Sequence, residues 1–251
     1  FFFGLIPIFF LIPKNKIFSF YKTKRPILHA FRAISGAIAI IALFIALRNL
    51  PLADVISLTF AGPIFVTIFS IIFLSEKVGA KRWSAVFIGF IGMLFIIQPA
   101  FVEMNLYYIF PIIFCIGFSF VAISIRSLSK TEPNYLIAFY FTVLVLFLSL
   151  LTLPMGWETP SKFELFLFVV LGLSGGVANL LLTQSYRLAD ASLVSPIKYL
   201  SLLFALFFGF YIWNEIPKPM MLFGALLVII SSLIIFRRET SLNKQVVPPR
   251  S

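Results

Sequence analysis

The chain has 251 residues, of which 61% are hydrophobic and 12% charged, and its net charge is +11. A soluble domain is about half apolar and a quarter charged; too few charges remain here to solvate an ordinary surface, so a soluble enzyme, a disordered chain and a nucleic-acid-binding domain are all disfavoured. Composition predicts a polytopic membrane protein whose lysines and arginines hold loops at the cytoplasmic face, and the one cysteine, Cys115, excludes an intrachain disulfide and a thiol metal cluster.

In chain order, residues 1–13 are an apolar run that begins at Phe1 without a basic flank or a cleavage site. That pattern reads as a cut edge, the later part of a helix, and not as a signal peptide. Further runs without Asp, Glu, Lys or Arg cover 33–47, 55–75, 83–102, 104–125, 135–157, 165–184, 199–214 and 219–236. Most approach the ~20 residues that cross about 30 Å of hydrocarbon, and the two short ones extend backwards past Arg32 and Lys198. The expected fold is therefore all-α, a polytopic membrane helix bundle with nine helices present. The runs are too long and too uniformly apolar for barrel strands of ~10 alternating residues. Short connections predict one compact bundle.

Basic residues set the expected orientation. If the first loop (Lys14, Lys16, Lys22, Lys24, Arg25) faces the cytoplasm, alternate loops add Lys77, Lys81 and Arg82, then Arg126 and Lys130, then Arg187, then the tail residues Arg237, Arg238, Lys244 and Arg250. Those are 15 basic residues on one side against Arg48, Lys162 and Lys218 on the other, which predicts a cytoplasmic C-terminus.

Sliding the chain on itself reveals one ungapped register. At an offset of 139, eleven of the 60 positions from Ser35 to Leu94 are identical, including Ser35/Ser174, Gly36/Gly175, Arg48/Arg187 and Glu76/Glu215. Apolar matches arise easily in such a chain; arginine and glutamate are rare in it, and both pairs fall at helix ends. Mates of this kind run in opposite directions under the charge rule, the inverted repeat of many secondary transporters. Extrapolating the offset, the complete protein is expected to have ten helices, five plus five. The expected divisions are 1–104 for a shortened first repeat, 105–237 for the second and 238–251 for a cytoplasmic tail.

Several stretches resemble the EamA-type family of the drug/metabolite transporter superfamily. They are Ala46-Leu47-Arg48-Asn49-Leu50-Pro51-Leu52-Ala53-Asp54, a helical Pro63 followed by Phe73-Leu74-Ser75-Glu76-Lys77, and Trp83 with Gly89 and Gly92. The second half repeats the scheme weakly as Ala189-Asp190-Ala191, Pro196 and Trp213-Asn214-Glu215. The resemblance implies a gradient-driven carrier or exchanger of small metabolites in the bacterial inner membrane. Leu28-His29-Ala30-Phe31-Arg32 and Pro196-Ile197-Lys198-Tyr199 look most like the branch that includes S-adenosylmethionine uptake carriers, although Ala33 stands where that branch commonly has Gly.

Residue by residue, Lys198 has two readings: a cationic contact for a substrate carboxylate or phosphate, or a side chain snorkelling to the interface. An anionic or zwitterionic substrate, or a water-filled vestibule, is expected to supply its missing partner, with Tyr199 and Asn179 as neighbours. Pro196 frees a backbone carbonyl beside it. Arg32 and His29 read as an interfacial anchor or as one side of the substrate path, with His29 a candidate proton site. Glu76 and Glu215 oppose helix dipoles and need partners, for which Lys77, Lys81, Arg82 and Lys218 are the candidates; both read as gating or structural residues or as coupling-ion sites. Arg48 and Arg187 are expected to bond the last carbonyls of their helices, and Pro63 is grouped with these structural positions. Asn179, Gln184, Ser119, Ser124 and Tyr140 are neutral polar groups able to line a cavity, while Ser35-Gly36-Ala37 and Ser174-Gly175-Gly176 permit close helix packing.

A membrane enzyme would need a nucleophile with a base, paired acids or metal ligands. The chain has one His, one Cys and no phosphate-binding loop of the GxxxxGK[ST] type, so no catalytic residue, cofactor or metal is expected and ATP-driven pumping is disfavoured. A non-transporting scaffold or lipid-handling subunit of the same fold is the remaining rival. Partners are expected to be a small molecule and the lipid bilayer, not nucleic acid, with a homodimer left open.

Overall fold

The structure, a computed structural model, describes residues 1–13, 21–98, 106–151, 156, 159–214 and 216–246. Among these the regular structure is entirely helical: α1 Leu5–Phe10, α2 Pro26–Asn49, α3 Leu52–Thr59, α4 Gly62–Leu74, α5 Ala80–Ile97, α6 Ile109–Leu128, α7 Asn134–Leu150, α8 Lys162–Leu188, α9 Ala191–Val194, α10 Ser201–Trp213 and α11 Pro219–Val246. Short 3₁₀ turns precede α1 and α6, and a longer one, Ser195–Leu200, joins α9 to α10. Since α3–α4 and α9–α10 are each one interrupted rod, the described residues form nine rods, as the apolar runs predict. Seven are long and apolar enough to cross a membrane.

The repeat is written into the boundaries. α2 ends at Asn49 and α8 at Leu188, α3 begins at Leu52 and α9 at Ala191, α4 ends at Leu74 and α10 at Trp213, and α5 begins at Ala80 and α11 at Pro219. Each pair is 139 residues apart. So are two left-handed caps, Ser75 (φ 56°) closing α4 and Asn214 (φ 53°) closing α10. The left-handed region is sparsely used by residues other than glycine, so its recurrence at mates marks two copies of one local fold.

By their contacts the helices group into two compact units. One comprises Phe1–Ile40 and Phe120–Asp190, the other Ile41–Ser119 and Ala191–Ser251. The helices α2 and α6 each contribute residues to both units. In the first unit α1 lies against α8 through glycines: a Cβ added at Gly176 would stand 2.4 Å from the Gly4 carbonyl oxygen. Ile8, Ala138 and Leu180 form the core beside that contact. Ser161 and Glu164 close the start of α8 with a reciprocal capping box.

In the second unit α5 packs along α11. A Cβ on Gly224 would lie 2.5 Å from the Gly92 carbonyl oxygen, and the Ser231 hydroxyl donates to the Ala85 carbonyl at 2.7 Å. Ala85 and Gly224 are mates, as are Gly92 and Ser231, so the two contacts exchange under the repeat. Residue numbers rise along α5 as they fall along α11. The mates are therefore antiparallel and related by a local two-fold, the inverted arrangement expected from sequence. Many large apolar side chains point outward, among them Phe44, Phe166, Phe204 and Phe236, the composition of a lipid-facing surface.

Gly224→Ala is expected to destabilise the protein by about 1–3 kcal/mol through overpacking against Gly92, seen as a lower thermal midpoint in detergent. Gly175→Ala, where an added Cβ meets nothing within 4 Å, is expected to leave the midpoint unchanged or raise it.

Candidate functional site

Two cations organise the polar interior, buried Arg32 in one unit and half-buried Lys198 in the other. Arg32, in α2, is 1% exposed. Its guanidinium donates to the Ile137 carbonyl and, at 3.0 Å, to the Asn179 side-chain oxygen, and it lies 4.5 Å from the centre of the Phe141 ring. Gly36, one turn further along α2, makes this possible: a Cβ there would come within 2.6 Å of Phe141. The small-residue patch around Ser35 thus seats the ring that faces the arginine. Asn179 spends its amide on the Thr142 hydroxyl at 3.3 Å. Phe141, Thr142 and Asn179 form part of the wall of a cavity of about 750 Å³ that Gly172, Gly175 and Gly176 also line.

His29 is buried one turn before Arg32, and neither of its ring nitrogens has a hydrogen-bond partner among the described residues. Its ring lies 4.5 Å from that of Tyr140, whose hydroxyl donates to the Tyr21 carbonyl. Arg32 and His29 are thus held inside the protein, not spread at its surface. Glu132, which sequence reasoning passed over, is also buried; it accepts from the Thr23 hydroxyl and the Lys24 amide, both at 2.8 Å.

Lys198 lies in the 3₁₀ stretch between α9 and α10. Its ammonium sits 3.5 Å from the Thr59 carbonyl oxygen, a long hydrogen bond, and 5.1, 5.4 and 5.3 Å from the ring centres of Phe60, Phe114 and Phe118. Thr59 is the mate of Lys198, and Phe60 is the mate of Tyr199. The rings of the latter pair stack 6.0 Å apart. Residues that touch their own mates mark the local two-fold, so the interruption between α3 and α4 meets the one between α9 and α10 on that axis. A broken helix leaves carbonyls without their intrahelical partners, and Thr59 offers one of these to the lysine. Pro63 stands in the first turn of α4 and Pro196 in the first turn of the 3₁₀ stretch, where a missing N–H costs least.

The neighbours of Lys198 differ from those expected. Sequence reasoning left a substrate anion, a water-filled vestibule or the interface as its surroundings; the described residues around it are ring faces and a carbonyl. Asn179, expected beside it, is bonded to Arg32 and Thr142. Tyr199 is adjacent, with its hydroxyl buried and unpartnered among the described residues. The aromatic set went unrecognised because the chain has 33 phenylalanines; the offset from Tyr199 to Phe60 was the available signal.

Glu76 also differs. Its carboxylate caps the start of α9, accepting from the Ala191 amide at 2.8 Å, the Ser192 amide at 3.1 Å and the Ser192 hydroxyl at 2.6 Å, with Arg82 donating to that same hydroxyl at 2.8 Å. A helix start supplies free N–H groups and positive potential in one place, which exposed Lys77 and Lys81 do not. Glu215 lies outside the described residues. Arg48 and Arg187 are exposed. The Arg187 carbonyl at the end of α8 is bonded by Arg126 at 2.9 Å, itself held by Asp190 at 3.0 Å, and near the end of α2 the Ile45 carbonyl is taken by Asn49. A neighbouring helix and a shorter side chain do the work expected of the two arginines.

Seven apolar spans, paired helix breaks and inverted helix mates define a multi-pass membrane protein of the repeat-built transporter class. Residues 1–98 and 105–237 match the EamA-like transporter family, and the chain belongs to that family. Over 242 residues it is 28% identical to an S-adenosylmethionine uptake transporter of Rickettsia conorii, covering 96% of this chain and 81% of that one. It is 25% identical over 213 residues to a pseudopaline exporter of Pseudomonas aeruginosa (83% and 74% covered) and 29% identical over 219 residues to a riboflavin transporter of Rhizobium johnstonii (87% and 72% covered). A solved crystal structure superposes with a TM-score of 0.80 over 96% of this chain and 86% of that one at 14% identity, which shows the fold.

Asn179→Leu is expected to destabilise the protein by about 1–3 kcal/mol, because it strips a buried guanidinium of a side-chain acceptor. Thermal unfolding in detergent measures this, and Asn179→Asp, which keeps an acceptor for the guanidinium, is expected to recover most of the loss.

Proposed function

We propose that the protein is a secondary transporter that moves a small zwitterionic metabolite across the bacterial inner membrane by alternating access, with its C-terminus in the cytoplasm. The observation that carries this reading is the meeting of two interrupted helices at repeat mates, Thr59 with Lys198 and Phe60 with Tyr199. Interrupted helices in inverted repeats are where secondary transporters hold substrate. The repeats 1–104 and 105–237 are the halves that change places, 238–251 is the tail, and the Glu76 cap on α9 with Arg82 is a contact that forms in one state and releases in the other. Lys198 leaves its rings to meet the substrate's anionic group. S-adenosylmethionine is the first substrate to examine, in view of the Rickettsia relatives.

Labelled S-adenosylmethionine is expected to accumulate in proteoliposomes that contain the protein. Lys198→Gln is expected to raise the apparent KM about ten-fold or more at matched protein levels, as loss of a charge-assisted contact does, and Lys198→Arg to recover part of that loss. Uptake that is equal for wild type and Lys198→Gln contradicts the assignment of Lys198. A reporter fused after Arg238 is expected to behave as cytoplasmic, and a periplasmic signal contradicts the orientation.

A further inference from the structure

The surroundings of Lys198 fit its ammonium poorly. An ammonium carries three N–H donors, and among the described residues its hydrogen-bond acceptor is the Thr59 carbonyl at 3.5 Å. What the site offers in quantity is aromatic surface: Phe60 is held against Tyr199, and Phe114 and Phe118, one turn apart on α6, stack on each other with centres 5.9 Å apart. All three rings lie 5.1–5.4 Å from the ammonium nitrogen. Several ring faces and a carbonyl around one point form a cage for organic cations, and such cages favour cations with alkyl groups in place of N–H. A sulfonium or quaternary ammonium centre needs no acceptors and is weakly hydrated, so it loses little on entry.

The same 3₁₀ segment carries two further polar groups that could meet a ligand. The hydroxyls of Ser195 and Tyr199 are buried, and neither has a hydrogen-bond partner among the described residues. Buried hydroxyls are ordinarily satisfied. They stand four residues apart in the segment that holds Lys198, and they are donors suited to the anionic end of a zwitterion.

We propose that the faces of Phe60, Phe114 and Phe118, together with the Thr59 carbonyl, form a binding site for a donor-free onium group, sulfonium or quaternary ammonium, of which the Lys198 ammonium is the tethered occupant. The substrate's anionic group draws Lys198 out, and the substrate's own cation takes the vacated place. This deepens the transport reading above and rests on it for the identity of the substrate; the cation site itself is tested without transport.

The test is calorimetric titration of the purified full chain in lipid nanodiscs with trimethylsulfonium. Lys198→Met, which removes the resident cation but keeps the side chain's length, is expected to bind trimethylsulfonium about ten-fold more tightly than wild type, and Lys198→Gln to gain similarly. Adding Phe114→Leu or Phe118→Leu to Lys198→Met is expected to abolish the gain, whereas Phe118→Trp keeps it. Thermal midpoints identify folded variants, and the two lysine replacements serve as independent backgrounds. Equal binding by wild type and both lysine variants overturns the cation site, as does a gain that survives loss of the rings. A gain without S-adenosylmethionine uptake contradicts that substrate assignment and leaves the cation site standing. Uptake without a gain does the reverse.

Discussion

The contact between α5 and α11 is the constraint from which the second unit is built. Gly92 and Gly224 let the two backbones approach closely, and Ser231 fastens the same interface at Ala85. In lipid there is no hydrophobic gain in pressing one apolar helix on another, so close packing and interhelical hydrogen bonds must supply the attraction. Because these contacts exchange under the 139-residue repeat, the interface is a local two-fold. Its direction makes α5 and α11 inverted mates. The same axis passes where Phe60 meets Tyr199, in the core that includes Met93 and Val228. Gly89 stands there because Tyr199 fills the space a Cβ would need.

Around that frame the protein holds two cations, and among the described residues neither has a carboxylate in its hydrogen bonds. Arg32 has a carbonyl, an amide oxygen and a ring face; Lys198 has a carbonyl and three rings. A charge at depth is costly unless it is met by polar groups or water. Carbonyls and ring faces lower that cost and leave the net positive charge intact. An ion pair would cancel it. A site of this kind stays attractive to an anionic group, and for Lys198 the carbonyl comes directly from a helix interruption. Glu76, by contrast, is fully engaged by amides and a hydroxyl at the start of α9, which ties the loop after α4 to the second interrupted rod.

What was legible in the sequence followed from scarcity. Charges are rare in this chain, so charge-free runs delimited the helices, and the recurrence of Arg48 as Arg187 and Glu76 as Glu215 exposed the offset that the helix boundaries obey. Partners were far less legible. Arg32 stands near a helix start and reads as an anchor because Ile137 and Asn179, which bury it, are 105 and 147 residues away. Phe114 and Phe118 have no feature that separates them from other phenylalanines until folding brings them to Lys198. The division into two units was hidden for a different reason: α2 and α6 are uninterrupted helices, and nothing in a continuous apolar run marks where it changes neighbours.

The central claim is inversion of the repeats about the α5–α11 contact, and disulfide trapping tests it most directly. In a Cys115→Ser background, Ala85→Cys combined with Ser231→Cys is expected to crosslink readily under mild oxidation. Ala85→Cys combined with Gly224→Cys is expected not to, since antiparallel mates place these positions about two turns apart along the helices. Efficient crosslinking of the second pair in place of the first would mean that the helices run parallel and that the repeats are not inverted.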